Sequence, residues 1–206
     1  MSRNVIFLVF VLSLCMGCAH KKAKQHRPKN SVYLMYYQRA VNSLNNYSVS
    51  RDSMQLIAVR HYLDSAAVDP ALRKKIVIPR VSLFLLTKKF QEGCNYANSL
   101  DSLQFQRPYQ KKMYVNFFQA FLLNQKQEYT QRDKSLKTAI DAISGYLKTH
   151  PKDTVAISDL FSIKMYCEQE PQLVKEMESF KKQHPEDQSF VEELERSFKS
   201  IYHKKQ

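Results

Sequence analysis

Four cysteines and three histidine–aspartate pairs carry the side chains of this chain that could do chemistry. Cys15 and Cys18 stand together near the N-terminus, whereas Cys94 and Cys167 are far apart, with no C-x-x-C partner and no histidine at ligand spacing. That spacing removes a zinc or thioredoxin-like reading. Two buried thiols packing as small hydrophobes are expected, with a disulfide as the alternative in an oxidising compartment. His61 and Asp64 lie three apart on one helical pattern, the spacing of half a metal site or an acid–base pair. A histidine packed beside a tyrosine, with its carboxylate in water, uses the same spacing. His150 with Asp153 recurs as His184 with Asp187, each pair placed where one helix ends before a proline and another begins. There the histidine serves the negative helix end and the aspartate caps the positive one. No serine or cysteine occupies a nucleophile motif, and EELE near the C-terminus reads as a solvated helix face. No catalytic residue, metal or cofactor is assigned, so the chain is read as a non-enzyme. A hydrolase would need a site assembled from distant residues.

The N-terminal segment decides what becomes of the first two thiols. Arg3 supplies a positive flank, and residues 5–16 run almost purely apolar up to Gly17 and Cys18. At about 1.5 Å of rise per residue this run falls well short of a roughly 30 Å hydrocarbon core, so it reads as a secretory signal and not a spanning anchor. A signal that stops at a small residue followed by cysteine resembles those of bacterial lipoproteins. The resemblance implies that Cys18 is acylated and becomes the new N-terminus. Leu14 is too large to play the part of Gly17 for Cys15, and the leucine usual three places before the modified cysteine is Cys15 here, a departure from the pattern. Ordinary cleavage near Ala19, or a short uncleaved apolar tail, is the alternative. Ala19, in place of the aspartate usual for inner-membrane retention, implies the periplasmic face of the outer membrane in a two-membrane source.

The expected division is a leader over 1–17, a lipidated basic tether over 18–30 and one helical domain over 31–206. The tether has no apolar periodicity and carries Lys21, Lys22, Lys24, Arg27 and Lys29. It reads as flexible chain whose charges sit against anionic lipid heads, worth about 1 kcal/mol each near the surface.

The elements of the domain follow from glycine, periodicity and proline. Glycine is confined to Gly17, Gly93 and Gly145, which excludes a phosphate-cradling loop or dinucleotide fingerprint. Asn-Gly and Asp-Gly hairpin turns are absent too, so an all-α chain is expected. Tyr33, Tyr37, Ala40, Val41 and Leu44 share one helical face, and Met54, Ile57, Ala58, His61, Tyr62 and Ala66 another, with the polar stretch NNYSVSRD between them. Pro70, Pro108, Pro151, Pro171 and Pro185 fall between periodic segments, while Pro79 sits inside IVIPRVSLFLL and predicts a kink or a fresh start. Capping boxes are expected at Thr130 with Asp133 and at Ser189 with Glu192.

A self-match at fixed offset is the most informative pattern. AIDAISGYLKTHPKD (139–153) and LVKEMESFKKQHPED (173–187) align at an interval of 34 residues, pairing Ala139 with Leu173, Ile143 with Met177, Tyr146 with Phe180, His150 with His184 and Pro151 with Pro185. This period and these positions resemble the tetratricopeptide repeat, a helix hairpin that hides its apolar face by stacking on a neighbour. Ala58, Tyr62 and Pro70 fit the same second-helix frame, and FQEGCNYANSL (90–100) looks like another, with Gly93 at the small position. The chain departs from the family in lacking the Trp-Leu-Gly signature, and Pro70 to Pro151 exceeds two periods. An extended turn in NQKQEYTQRDK, or longer helices, would absorb the excess. The resemblance implies a right-handed solenoid of about four antiparallel hairpins and a C-terminal helix. It also implies a protein- or peptide-binding groove lined by Arg39, Asn42, Asn46, Lys75, Lys112, Asn116 and Gln119, which would hold a chain terminus or acidic side chains.

Charge adds an alternative. Nine basic residues between Ala71 and Lys112 face only Glu92 and Asp101. This basic middle would attract an anionic envelope polymer or lipid. Export argues against nucleic acid, and the helically spaced aromatics of PYQKKMYVNFF are core before they are a stacking platform. The expected function is that of a lipid-anchored adaptor or assembly factor.

Overall fold

The computed structural model describes residues 31–203; the leader, Cys18 and the tether lie outside the described residues. Nine helices follow one another among the described residues, with no strand: α1 (Ser31–Ser50), α2 (Ser53–Ala66), α3 (Arg73–Leu86), α4 (Phe90–Ser99), α5 (Gln110–Gln125), α6 (Tyr129–Leu147), α7 (Thr154–Lys164), α8 (Glu170–Gln183) and α9 (Gln188–His203). Each packs on its neighbours in sequence, and α1 also reaches α3. The all-α expectation holds.

Turn chemistry sets the helix ends. The α3–α4 and α5–α6 turns are built alike: Lys88 and Gln127 take left-handed backbone (φ 57° and 63°), and the following N–H reaches back to the carbonyl of Phe84 or Leu123 at 2.9 Å. This is the Schellman closure, made here without glycine. Because it fixes the entry to α6 at Tyr129, Thr130 falls inside the first turn and the expected capping box with Asp133 does not form; Asp133 pairs with Arg132 instead. Ser189 is likewise inside α9, whose Glu192 accepts from Gln188. The caps are aspartates: Asp52, Asp69, Asp101 and Asp153 each accept backbone N–H groups of the element that follows. The turn expected across NNYSVSRD shrinks to Arg51 and Asp52, because Ser48 and Ser50 bond back to the carbonyls of Asn45 and Asn46 and the helix continues. The excess length goes into longer helices and the connection before α5, with no extended turn after Asn124. Pro79 neither ends nor restarts α3, which runs through it. The carbonyl freed by its missing N–H belongs to exposed Lys75, where water can reach it.

Burial overturns one expected face. In α2 the core side is Leu56, Val59, Leu63 and Ala66, while Met54 and Ile57 are each 63% exposed and His61 is exposed. Two apolar clusters result. The first joins α1, α2 and one side of α3 around Ala40, Leu44, Val59, Leu63 and Ile76. The second runs from α3 to α9 around Val81, Phe117, Phe118, Ile143, Ile157, Met177 and Phe198. Helix α3 gives Ile76 and Leu83 to one and Val77, Val81 and Leu85 to the other, which is why its sequence is apolar on nearly every side.

The two matched segments share local geometry. Ala139 with Leu173 and Ile143 with Met177 occupy equivalent buried positions in α6 and α8. Tyr146 stacks on His150 at 4.1 Å and Phe180 on His184 at 4.4 Å, and the next aspartate N–H bonds the histidine carbonyl at 3.1 Å and 3.0 Å respectively.

The two domain glycines separate cleanly. A Cβ on Gly93 would stand 2.3 Å from Cε1 of buried Phe118, whereas one on Gly145 meets nothing within 4 Å. Gly93→Ala is therefore expected to lose about 1–3 kcal/mol to overpacking even after the helix-propensity gain of about 1 kcal/mol, and Gly145→Ala to keep that gain. Urea midpoints of the two variants should move in opposite directions.

Candidate functional site

Two sets of residues compete for a role: the exposed positions on α1, α3 and α5, and a polar cluster buried between α5, α6 and α7. Arg39, Asn42 and Asn46 lie on α1, Lys75 in the first turn of α3, and Lys112, Asn116 and Gln119 on α5. All are exposed except Asn116, which is half-buried and donates to the Lys112 carbonyl at 2.8 Å. The Arg39 guanidinium lies 5.9 Å over the Tyr62 ring.

The basic middle is thinner than its sequence. Arg80 pairs with Asp64 at 2.8 Å, Lys89 with Glu92 at 2.7 Å and Arg107 with Asp153 at 2.6 Å. Lys111 donates to the Leu100 carbonyl at the end of α4. Arg73, Lys74, Lys75, Lys88 and Lys112 remain on the surface. Asp64 is thus taken by Arg80, and His61 packs at 5.8 Å from Tyr62, which leaves no acid–base pair there.

Cys94 and Cys167 are free thiols. Cys94 is half-buried, and burial raises its pKa. Cys167 belongs to an exposed residue, against the expectation of two buried thiols, yet its sulfur lies against the Ile163 carbonyl at 3.7 Å. Burial of that sulfur, with Glu168 and Asp133 nearby, pushes its pKa up to about 11, so it is a poor nucleophile. No three metal-ligating side chains converge among the described residues, and none of the described helices is long and apolar enough to cross a membrane.

The buried cluster was not anticipated. Helix α7 is buried along residues 156–163, and Asp159 in the middle of that run is 1% exposed. The hydroxyl of Tyr109 donates to its Oδ2 at 2.7 Å. Burial raises the Asp159 pKa to about 7, opposed by the Tyr109 bond, the Arg107 charge and the Gln110 amide, and assisted by Asp153. The Gln110 amide faces Asp159 without closing to a hydrogen bond, while its Oε1 accepts from the backbone N–H groups of Gln106 and Arg107. Nearer the surface, Arg107 Nε and the Tyr146 hydroxyl both donate to Asp153 Oδ2, at 2.6 Å and 3.0 Å, while Asp153 Oδ1 caps α7 through Val155 and Ala156. Burial works against the Asp153 charge, but the Arg107 and Ala156 bonds outweigh it and lower the pKa. The signal in sequence was an aspartate inside AISDLFSI, a stretch with no polar face to hold it.

A second ionic group closes the C-terminal end. Glu195, expected in solvent, is 7% exposed and bound by Lys181 at 3.0 Å and Lys199 at 2.5 Å. Its helix α9 has to cover α8 with that face, and the lysines neutralise it there.

Chemically, the buried cluster joins three helices around a carboxyl whose pKa burial raises, but Asp159 has no surface at which to meet a substrate. The exposed positions can meet one. No family model matches this sequence, and neither the curated proteins nor the solved structures yield a match.

Proposed function

We propose that this chain is a lipid-anchored envelope protein that binds another protein through a groove of stacked helix hairpins. The observation that carries the reading is the packing of each helix on its sequence neighbours, with polar residues left in solvent on the first helix of three successive pairs. A stack of this kind needs no closing contact between its ends, and its first helices can line a continuous surface in the manner of a right-handed tetratricopeptide-like solenoid. The equivalent histidine–proline turns after α6 and α8 support the repeat. Lipid on Cys18 and the basic tether would hold the stack at the envelope membrane, on the periplasmic face of the outer membrane where the source has two. A hydrolase is a weaker reading, because Asp159, the acid that burial pushes up to about 7, is sealed by α5 and α7.

Crosslinking and recovery from membranes tests the proposal. The wild-type chain is expected to bring down one stoichiometric protein. Combined Arg39→Ala, Lys75→Ala and Lys112→Ala should reduce recovery about tenfold or more, as loss of several charge-assisted contacts would. Unchanged recovery, or none from the wild type, contradicts it. The five free surface cations between Arg73 and Lys112 favour an anionic polymer as the second reading. Polymer binding would collapse steeply with salt, whereas a groove with apolar anchors would not.

A further inference from the structure

Helix α2 presents two apolar faces, and the fold uses one. Leu56, Val59, Leu63 and Ala66 face the core, while Met54 and Ile57 lie on the opposite side at 63% exposure, followed by His61 and, in the turn beyond, Val68 at 62%. Met54 and Ile57 lie in the first two turns of α2, His61 and Asp64 continue the same side, and Val68 stands just past the helix end. Its surroundings are cationic. Arg51 and Arg60 are exposed along it, and Arg73 and Lys74 follow at the start of α3, where no acid offsets them and the helix dipole opposes them. The acids nearby are fewer than the cations: Asp52 and Asp69 accept the N–H groups of Met54 and Ala71, each at 2.9 Å, and Asp64 is paired with Arg80. An apolar line flanked by cations is the pattern of a helix lying in the headgroup region of an anionic bilayer.

We infer that the outward face of α2, along Met54, Ile57 and Val68 with Arg51 and Arg60 beside them, rests on an anionic lipid surface. The inference rests on the lipid-anchored reading for one step, the distance. Twelve residues separate Cys18 from Ser31, and a chain of that length reaches at most about 45 Å. A lipid on Cys18 therefore keeps the first hairpin within reach of the membrane, and the cations of the tether add to the same attraction. Lying flat, α2 would anchor the chain at a second point and hold its orientation.

The test uses the chain from residue 18 onward with Cys18→Ser; both apolar clusters are built from residues beyond this point, so their packing is retained. It is sedimented with vesicles of phosphatidylcholine alone and with added phosphatidylglycerol. Binding to the anionic vesicles is expected, weakened about tenfold or more by combined Met54→Asp and Ile57→Asp, with an unchanged melting curve. Replacing the five tether cations by glutamine should weaken it but leave the Met54/Ile57 effect in place. No binding, or binding indifferent to Met54 and Ile57, overturns the inference. So does a dimer in ultracentrifugation that the aspartate variant dissolves, since a second copy would then cover this face. Lipidation is read separately, from the mass of the chain extracted from membranes, so failure of the anchor and failure of the docking face are distinguishable.

Discussion

Asp153→Ala is expected to cost about 2–4 kcal/mol, combining a lost helix cap with a broken, mostly buried ion pair. The carboxylate holds α7 by its N-terminus, Arg107 from the segment before α5, and Tyr146 near the end of α6, so one side chain ties two helices and the segment leading into a third. Its removal leaves the Arg107 guanidinium, only 21% exposed, without its charge partner. Asp153→Asn should separate the two contributions, because asparagine caps as well as aspartate but carries no charge. The residual loss in that variant belongs to the ion pair. Adding Arg107→Leu should then recover part of it, since the stranded cation is gone. The pH dependence has a defined sign. The folded pKa of Asp153 lies below its unfolded value, so its contribution is complete above about pH 4 and is lost as pH falls through the folded pKa. Urea melts of wild type and Asp153→Asn should therefore converge in acid. Melts that stay equally separated in acid would show that charge is not what Asp153 contributes.

The helical architecture was legible because its signals are local. Missing glycine pairs, prolines between periodic stretches and the His-Pro echo at 34 residues are each readable from a few neighbouring positions, and α4, α6 and α8 stand where these signals place them. The errors have one physical source: periodicity says that a helix has an apolar face, not which neighbour covers it. Helix α2 has two such faces, and only the packing of α1 and α3 selects Leu56, Val59 and Leu63 over Met54 and Ile57. The capping boxes failed for a related reason. A Thr-x-x-Asp or Ser-x-x-Glu string is a cap only if the chain enters the helix there, and the backbone closure at Gln127 makes Glu128 the cap and Tyr129 the first helical residue, so Thr130 lies inside. Charge pairs over long separations were invisible. Arg107 meets Asp153 and Arg80 meets Asp64 through the fold, so a basic stretch in sequence is partly neutral on the surface. Arg39, Lys75 and Lys112 lie on the solvent side of their helices, as charged residues opposite an apolar face do.

The largest pH effect should come from Asp159. Its folded pKa, near 7, lies above the ordinary aspartate value of about 4, so between these limits the native state retains a proton that the unfolded chain releases. Stability must then fall as pH rises from about 4 to about 7, opposite to the effect of Asp153, by up to about 4 kcal/mol at some 1.4 kcal/mol per pH unit. The cause is the site itself. Residues 156–163 are buried together, and desolvation of a carboxylate there exceeds what the Tyr109 hydroxyl, the Arg107 charge and the Gln110 amide return. Asp159→Asn keeps an acceptor for Tyr109 and cannot ionise. It should match the wild type near pH 4, exceed it by a few kcal/mol at pH 8, and flatten the difference curve above pH 7. Tyr109→Phe removes the donor that favours the charged form, so its stability should fall over a range extended to higher pH. Urea midpoints at pH 4, 6 and 8 for the three proteins decide the matter: parallel curves for wild type and Asp159→Asn would mean that Asp159 is ionised throughout. A carboxyl held neutral at the meeting of α5 and α7 would make this contact tightest in mild acid. A carboxyl that ionises would loosen the middle of the stack as the solution becomes alkaline, while the α1–α2 pair, built on a separate apolar cluster with no such group, would keep its packing.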